Sequence, residues 1–474
     1  MNNFRVERIE KMQAEKKKTT SAKSLETARE AGYFGKKMLK NAYIAQKEGR
    51  PIGWSMVTWY EGELIAKAMG IELVFPENYG ALCAAFGLAE PYLERCDSEG
   101  FPSSLCGYAR NCFGYVSMMA ENNMQPPPDA PVGGMPKPNL LIGSGAVCDG
   151  RFKWFQALKR YMDVPQWILE RPQAGAKEFD LPGQKDKTIR FITNHLKDFV
   201  AFLEKLLGKK MDWDKLEEIV DQTFKTLLLA HEVDLLRRAV PSPMVAQDFW
   251  SIMIPHLYLP YDPEAYAFYQ KVYDEVKYRV DNKIGAVPEE KYRMMFCELP
   301  PWHSLGFFDK LAEDFGIAMV YESWGYHAPT PIPHEELEGV TDPLERIARL
   351  TYQKFDEVNE TAKKYDGFSY GQIGAYLGAA HEYRADGLLC HPLMSCRPAT
   401  YSLFMIKDVL EEKVKVPGVV IDGDIVDLRV FNQAEALSRM EAFTDTMEHY
   451  RTERKNAGAP ISNALRIVES DPTS

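Results

Sequence analysis

The sequence predicts an α/β protein: two doubly wound lobes joined by a run of helices and preceded by a helical segment. Three observations carry that reading. Short apolar runs bounded by Pro, Gly or Asp recur toward both ends of the chain, as in Asn139–Gly143 and Gly387–His391. Stretches with apolar residues at 3–4 spacing separate these runs. Between the two sets, residues 187–279 keep the helical period throughout.

Residues 1–50 are charged and Ala-rich, with Leu25, Ala28, Ala31 and the stretch Tyr33–Leu39 at helical spacing; Gly49 and Pro51 end the pattern. A strand is expected over Ile52–Val57, a helix over Glu63–Met69, and a second strand over Ile71–Phe75, stopped by Pro76. Helical pattern resumes over Tyr79–Cys96 and Cys106–Asn122. Gln125–Pro138 is too rich in Pro and Gly for regular structure and reads as a stiff surface loop. Asn139–Gly143 suits a strand buried on both faces, and a helix over Phe152–Met162 with a strand over Val164–Leu169 completes a βαβ unit. In the connector, Leu196, Phe199, Val200, Leu203, Leu206 and Leu207 form an apolar stripe, with Gly208 where a C-cap belongs. Strands are then expected at Tyr292–Glu298, Ile317–Tyr321, Gly387–His391 and Gly418–Asp422. The resulting division is a helical segment 1–50, a first lobe 51–186, a helical connector 187–285, and a second lobe with a C-terminal helix, 286–474. No short-period repeat is visible.

The 474 residues carry 57 basic and 68 acidic side chains, a formal charge of −11. That balance argues against nucleic acid or an anionic membrane surface as the partner. No apolar run approaches the ~18 residues that span a bilayer, and no apolar stretch follows the charged N-terminus, so the expected location is cytoplasmic. Eight cysteines stand at 83, 96, 106, 112, 148, 297, 390 and 396, with no CxxC pair. Any metal site must be assembled from distant segments.

In open α/β sheets, ligands sit beyond the carboxyl ends of strands. Three such ends are marked: Gly143–Gly150, His391–Pro398 and Asp422–Arg429. The first has Gly143-Ser144-Gly145 after a strand and Glu170 at the end of the next, which resembles a dinucleotide fingerprint, but Cys148 stands where its last glycine belongs. Cys148 and Cys396 lie a few residues past buried strands, and Cys106 opens a helix, where free N–H groups and the dipole favour thiolate. Three thiolates from three loops can share one cluster or metal between the lobes, leaving one iron of a cubane open. Cys83, Cys96, Cys112, Cys297 and Cys390 read as core residues. Asp422, Asp424 and Asp427 with Arg429 read as an ionic network or as ordinary turn chemistry, with magnesium as the alternative.

Leu105-Cys106-Gly107-Tyr108-Ala109-Arg110, Pro138–Trp154, Ala385–Leu389 through Ser395-Cys396-Arg397-Pro398, Asp422-Gly423-Asp424 with Asp427, Arg429 and Phe431-Asn432, and the Pro76-Glu77-Asn78 turn resemble, in the same order, the 2-hydroxyacyl-CoA dehydratase and benzoyl-CoA reductase superfamily. The resemblance runs from about residue 50 to 450. It implies two Rossmann- or flavodoxin-like lobes, a [4Fe–4S] cluster held by Cys106, Cys148 and Cys396, a homologous second catalytic subunit, and a separate ATP-hydrolysing iron–sulfur activator. The chain has no Walker A sequence, which agrees with ATP hydrolysis on another polypeptide. The implied substrate is an acyl-CoA thioester.

Single-electron reduction of a thioester or arene makes a radical anion, which needs an acid nearby. In the dehydratase branch a serine of the first strand and the glutamate of the Pro-Glu-Asn turn flank the substrate; Glu77 matches the glutamate, and Ser55 is the nearest serine. His303, within Pro300–Ser304, and His327, within Tyr321–His327, follow strands of the second lobe and, with Trp302, Trp324 and Tyr326, offer walls and protons for an aromatic acyl pocket. The Lys277–Trp302 segment and the Trp324/Tyr326 loop look more like ring-reducing benzoyl-CoA reductases; the Asp-Gly-Asp and Ser-Cys-Arg-Pro segments look more like dehydratases. The reading is a benzoyl-CoA reductase-like catalytic subunit, with a (R)-2-hydroxyacyl-CoA dehydratase subunit as the alternative. A cluster-carrying assembly or electron-transfer protein and a nucleotide-binding oxidoreductase are the other classes.

Overall fold

The computed structural model describes residues 24–145, 147–172, 181–322, 332–366 and 371–457. Two four-stranded parallel sheets organise them. The first is built from β1 (Ile52–Ser55), β2 (Glu72–Val74), β3 (Leu140–Ser144) and β4 (Gln166–Leu169), in the order β2-β1-β3-β4. The second is built from β5 (Tyr292–Cys297), β6 (Ile317–Glu322), β7 (Gly387–Cys390) and β8 (Gly418–Val420), in the order β6-β5-β7-β8. Trp54 of β1 lies beside Val74 and Leu141, and Phe296 of β5 beside Glu322 and Leu389. β1, β2, β3, β6 and β7 are buried along their whole length, as apolar runs covered by helices on both faces must be. In each sheet the chain winds outward in one direction from the first strand and returns to its other side. The crevice between β1 and β3, and that between β5 and β7, is therefore a topological switch point.

Helices Gln184–Leu207, Trp213–Leu236, Ala246–Tyr258 and Pro263–Asp281 form the connector. Gly208 closes the first in the left-handed region, at φ +65°, and Asp212 and Asp262 cap the second and fourth by accepting from Lys215 N and Glu264 N at 2.9 Å each. Arg237 of the connector meets Glu322 at the end of β6 at 2.5 and 2.6 Å, with both side chains sealed from solvent. The expected N-terminal helix is described from residue 24, as a 3₁₀ turn, Thr27–Glu30, and a helix, Gly32–Lys47. The chain's last described element is the helix Gln433–Ala457. No helix among the described residues is long and apolar enough to cross a membrane.

Two expectations change. The single helix expected over Tyr79–Cys96 is two, Pro76–Ala85 and Glu90–Ser98, parted at Gly87, whose φ of +68° ends the first. Gln125–Pro138 is irregular but not a surface loop throughout: Pro131, Met135 and Pro136 are buried. Distant side chains satisfy its backbone: Tyr79 donates to Pro131 O, Tyr115 bonds both Met135 O and Met135 N, and Trp54 Nε1 donates to Pro136 O.

The helix Gly107–Glu121 is tightly seated in the first lobe. It packs backbone to backbone on Glu90–Ser98: a Cβ on Gly114 would lie 1.8 Å from the carbonyl oxygen of Tyr92. That approach fixes the helix start, where Cys106 stands.

Candidate functional site

Cys106, Cys148 and Cys396 come from three different connections yet share one local geometry. Each is the N-cap residue of a helix: Gly107–Glu121, Asp149–Leu158 and Arg397–Tyr401. The Cys148 sulfur takes a hydrogen bond from Arg151 N–H at 3.4 Å, whereas Cys106 and Cys396 make no side-chain cap bond. At Cys148 sulfur thus does what a serine or aspartate oxygen does at an ordinary N-cap. All three thiols are half-buried, and burial is the main cause of their raised pKa values, with Cys396 pushed up to about 12. The charge of Cys396 and that of Cys148 both act on Cys106, and that of Cys148 acts on Cys396, so the three face one region. The other five cysteines are buried.

The Cys106 and Cys396 loops are pinned to each other. Gly107 N donates to Ser395 Oγ at 3.0 Å, and the Ser395 hydroxyl donates to the Asp424 carboxylate. Asp424 also accepts from Ser395 N, Val426 N and Asp427 N at 3.0–3.2 Å. A Cβ at residue 107 would stand 2.8 Å from Asp424 Oδ1, so glycine beside Cys106 is what lets the two lobes close. Arg110, one turn along, bonds Asp97 at 2.7 Å and Asp427 at 3.3 Å, and Asp427 takes Arg429 at 2.6 Å. Asp422 faces Arg439 at 3.7 Å. Of the expected network only Asp427 meets Arg429; Asp422 pairs with Arg439 instead, and Asp424 serves as a turn acceptor for backbone N–H groups and Ser395. Among the described residues no group of three or more His, Cys, Asp or Glu side chains is disposed to hold a metal ion.

Glu77 lies in the first turn of Pro76–Ala85, where the helix dipole favours a carboxylate. Its Oε2 takes Arg151 Nη2 at 2.9 Å and Val57 N at 3.2 Å, and Arg151 also donates to Val57 O. Its charge acts on Cys106 and Cys148. Ser55 is fully buried, and its hydroxyl donates at 2.8 Å to the neighbouring Met56 carbonyl. His303 Nε2 donates to Asp424 O at 2.9 Å, which leaves Nδ1 to accept from Ser304 Oγ at 2.8 Å. Burial lowers the His303 pKa; the ring is a strut on the Asp424 loop. His327, with Trp324 and Tyr326, lies outside the described residues. Trp302 is part-buried and donates its indole N–H to Tyr108 OH at 2.5 Å, joining the second lobe to the Cys106 helix.

Sequence reasoning passed over Arg151, Ser395 and Glu298, the last a buried acid just beyond β5. Their signals are present but local: Arg151 stands three residues after Cys148, Ser395 stands one before Cys396, and Glu298 ends the apolar run Met294–Cys297. By the Gly143/Gly145 loop lies a cavity of about 410 Å³, lined by Gly145, Asp149, Phe152, Lys153, Glu170 and Arg171. The helix N-terminus beside it has its Arg151 N–H taken by Cys148, and Cys148 stands where the fingerprint has the glycine that lets helix and strand pack closely.

Residues 58–447 match the family model described as 2-hydroxyglutaryl-CoA dehydratase, D-component. The chain belongs to this family. It is 25% identical over 411 residues to the (R)-2-hydroxyisocaproyl-CoA dehydratase alpha subunit of Clostridioides difficile, covering 86% of this chain and 93% of that protein. It is 24% identical to the lactoyl-CoA dehydratase subunit alpha of Anaerotignum propionicum, covering 88% and 95%. It is 25% identical over 391 residues to a benzoyl-CoA reductase subunit of Thauera aromatica, covering 78% and 81%. Two proteins named as dehydratases and one named as a reductase thus stand at similar identity, and all three relatives are named as subunits.

Proposed function

We propose that the chain is a [4Fe–4S]-carrying catalytic subunit that acts on an acyl-CoA by single-electron chemistry, in a complex with a homologous subunit and supplied by a separate ATP-hydrolysing iron–sulfur activator. The observation that carries the reading is the common N-cap geometry of Cys106, Cys148 and Cys396, facing one region from three loops. The donor set fits such a group: three half-buried sulfurs at the starts of three helices suit a polynuclear cluster whose ligands stand further apart than those of a single ion, with one iron left open. Cys106, Cys148 and Cys396 would hold it, and when bound it supplies the electron that activates the thioester.

The chain's own residues do the rest. The Gly107–Ser395 bond, backed by Asp424, keeps the lobes in register, and Arg151 holds Glu77. The reaction favoured is reduction of an aromatic acyl-CoA, as in benzoyl-CoA reductases, because Ser55 spends its hydroxyl on its own backbone. Dehydration of a (R)-2-hydroxyacyl-CoA is the second reading, and the dehydratase names of the family model and of two relatives favour it. Anaerobic isolation with iron and sulfide counts and an EPR spectrum tests the cluster: Cys106→Ser, Cys148→Ser and Cys396→Ser are each expected to lose iron, whereas Cys112→Ser keeps it. Full iron in all four variants ends the assignment. Turnover of benzoyl-CoA against 2-hydroxyacyl-CoAs, with partner and activator present, separates the two reactions.

A further inference from the structure

The helix Leu403–Val414 follows the Cys396 turn and packs on the second sheet through Leu403, Ile406, Leu410 and Val414, its buried side at 3–4 spacing. One apolar side suffices for a helix that lies on a sheet and otherwise meets water. Its first turn, Leu403-Phe404-Met405-Ile406, is instead apolar all round, as in a helix covered on every side. Phe404 and Met405 are nevertheless 51% exposed each.

Tyr401 and Met394 extend that surface. They are 82% and 68% exposed, more than any other large apolar side chain among the described residues. Ser402 keeps right-handed helical backbone, at φ −98° and ψ −6°, so Tyr401, Phe404 and Met405 fall on one helical face. The Thr400 hydroxyl bonds Leu393 O at 3.2 Å and Cys396 O at 2.9 Å, which holds the adjoining residues Met394 and Tyr401 near each other. With about 200 Å² for a large side chain, the four expose on the order of 500 Å². Monomeric proteins rarely leave a larger contiguous apolar patch in water, and it is more than half of the ~800 Å² that one partner gives to a standard interface. The patch also borders the thiols. Met394 stands two residues before Cys396, the exposed Val147 stands one before Cys148, and the Asp149–Arg397 pair bridges the two turns.

We propose that Met394, Tyr401, Phe404 and Met405 form the seat of the companion subunit, beside the Cys148 and Cys396 turns. This rests on the two-subunit complex proposed above. A permanent complex needs an apolar surface that resembles a core cut in half, and no other stretch of the described chain gathers four such exposed side chains within 12 residues. Tyr and Met are among the side chains enriched at the centre of interfaces. An electron donor that binds and leaves fits the patch less well, because such encounters are small and steered by charge, and these four side chains carry none.

The test compares the full chain alone with its complex with the companion subunit, both purified anaerobically. Hydrogen exchange read by mass spectrometry is expected to slow at the amides of residues 394–405 in the complex. Tyr401→Glu and Met405→Glu are each expected to weaken association at least about 30-fold, the size of an interface hot spot, with iron content and thermal unfolding unchanged. Tyr278→Glu, on the exposed side of the connector helix Pro263–Asp281, is expected to associate as wild type does. Unchanged association in both patch variants overturns the proposal, as do amides of 394–405 that exchange alike in the two samples; the exchange comparison decides on wild type alone if the variants unfold. Protection that arises in a dimer of this chain, or only after the electron-donating protein is added, gives the patch to that occupant and overturns the companion. A chain purified from its own cells as a 54.0 kDa monomer ends the complex and this proposal together. A companion that binds while residues 394–405 stay exposed ends this proposal alone.

Discussion

The two lobes share one plan and use it differently. Each is a four-stranded parallel sheet with the first strand between the second and third, and each places a helix-capping cysteine after its third strand, Cys148 in one and Cys396 in the other. Each also sets an arginine-bound acid at or just past its second strand. In the first lobe this is Glu77 with Arg151; in the second it is Glu322 with Arg237. Glu77 remains 18% exposed and acts electrostatically on two of the thiols, whereas Glu322 is 0% exposed and faces the connector. At the end of the first strand the contrast reverses: Ser55 is closed on its own backbone, while Glu298 is bonded to Gln372 and pairs with no cation among the described residues. Topology settles where groups sit; the loops settle what they do there.

Removing one arginine from each pair is the most severe way to probe that contrast. Arg237→Met leaves Glu322 buried beside no cation, and a loss of about 3–5 kcal/mol is expected by denaturant unfolding. Glu298 sharpens it by pH. Its folded pKa of about 8 lies above the ordinary glutamate value near ~4.3, so between these values the unfolded chain ionises while the folded chain stays protonated. Stability on this account is full below the lower value and falls as pH rises toward the upper, by on the order of a few kcal/mol. The difference between wild type and Glu298→Gln, measured across that range, isolates it. Arg151→Met is milder, about 1–3 kcal/mol, because Glu77 keeps some water. The smallest effect belongs to Asp149 and Arg397, the residues that follow the two capping cysteines and pair across the lobes with side chains 68% and 71% exposed. A double-mutant cycle there is expected to give under about 1 kcal/mol, vanishing in high salt.

The sequence carried the sheets because each strand is a local apolar run with its own punctuation, and it carried the Cys106 cap because Ser-Ser-Leu-Cys-Gly is a local signal. It concealed the kinship of the lobes, since only topology repeats and not residues. The Glu77–Arg151 pair spans 74 residues and the Gly107–Ser395 bond spans 288; neither leaves a pattern in a short window. The left-handed turn at Glu298 was equally hidden, because nothing in Cys297-Glu298-Leu299 calls for glycine. The tucked Gln125–Pro138 segment was misjudged for the same reason: its partners Trp54, Tyr79 and Tyr115 lie on other elements.

The Asp149–Arg397 pair joins the two halves of the molecule at the very residues after Cys148 and Cys396, and water surrounds it. Such a clasp is loosened by ordinary electrolyte, whose ions crowd within about 8 Å of each charge at physiological strength. Ionic strength then sets how firmly these two residues hold each other, and with them the loops that carry Cys148 and Cys396.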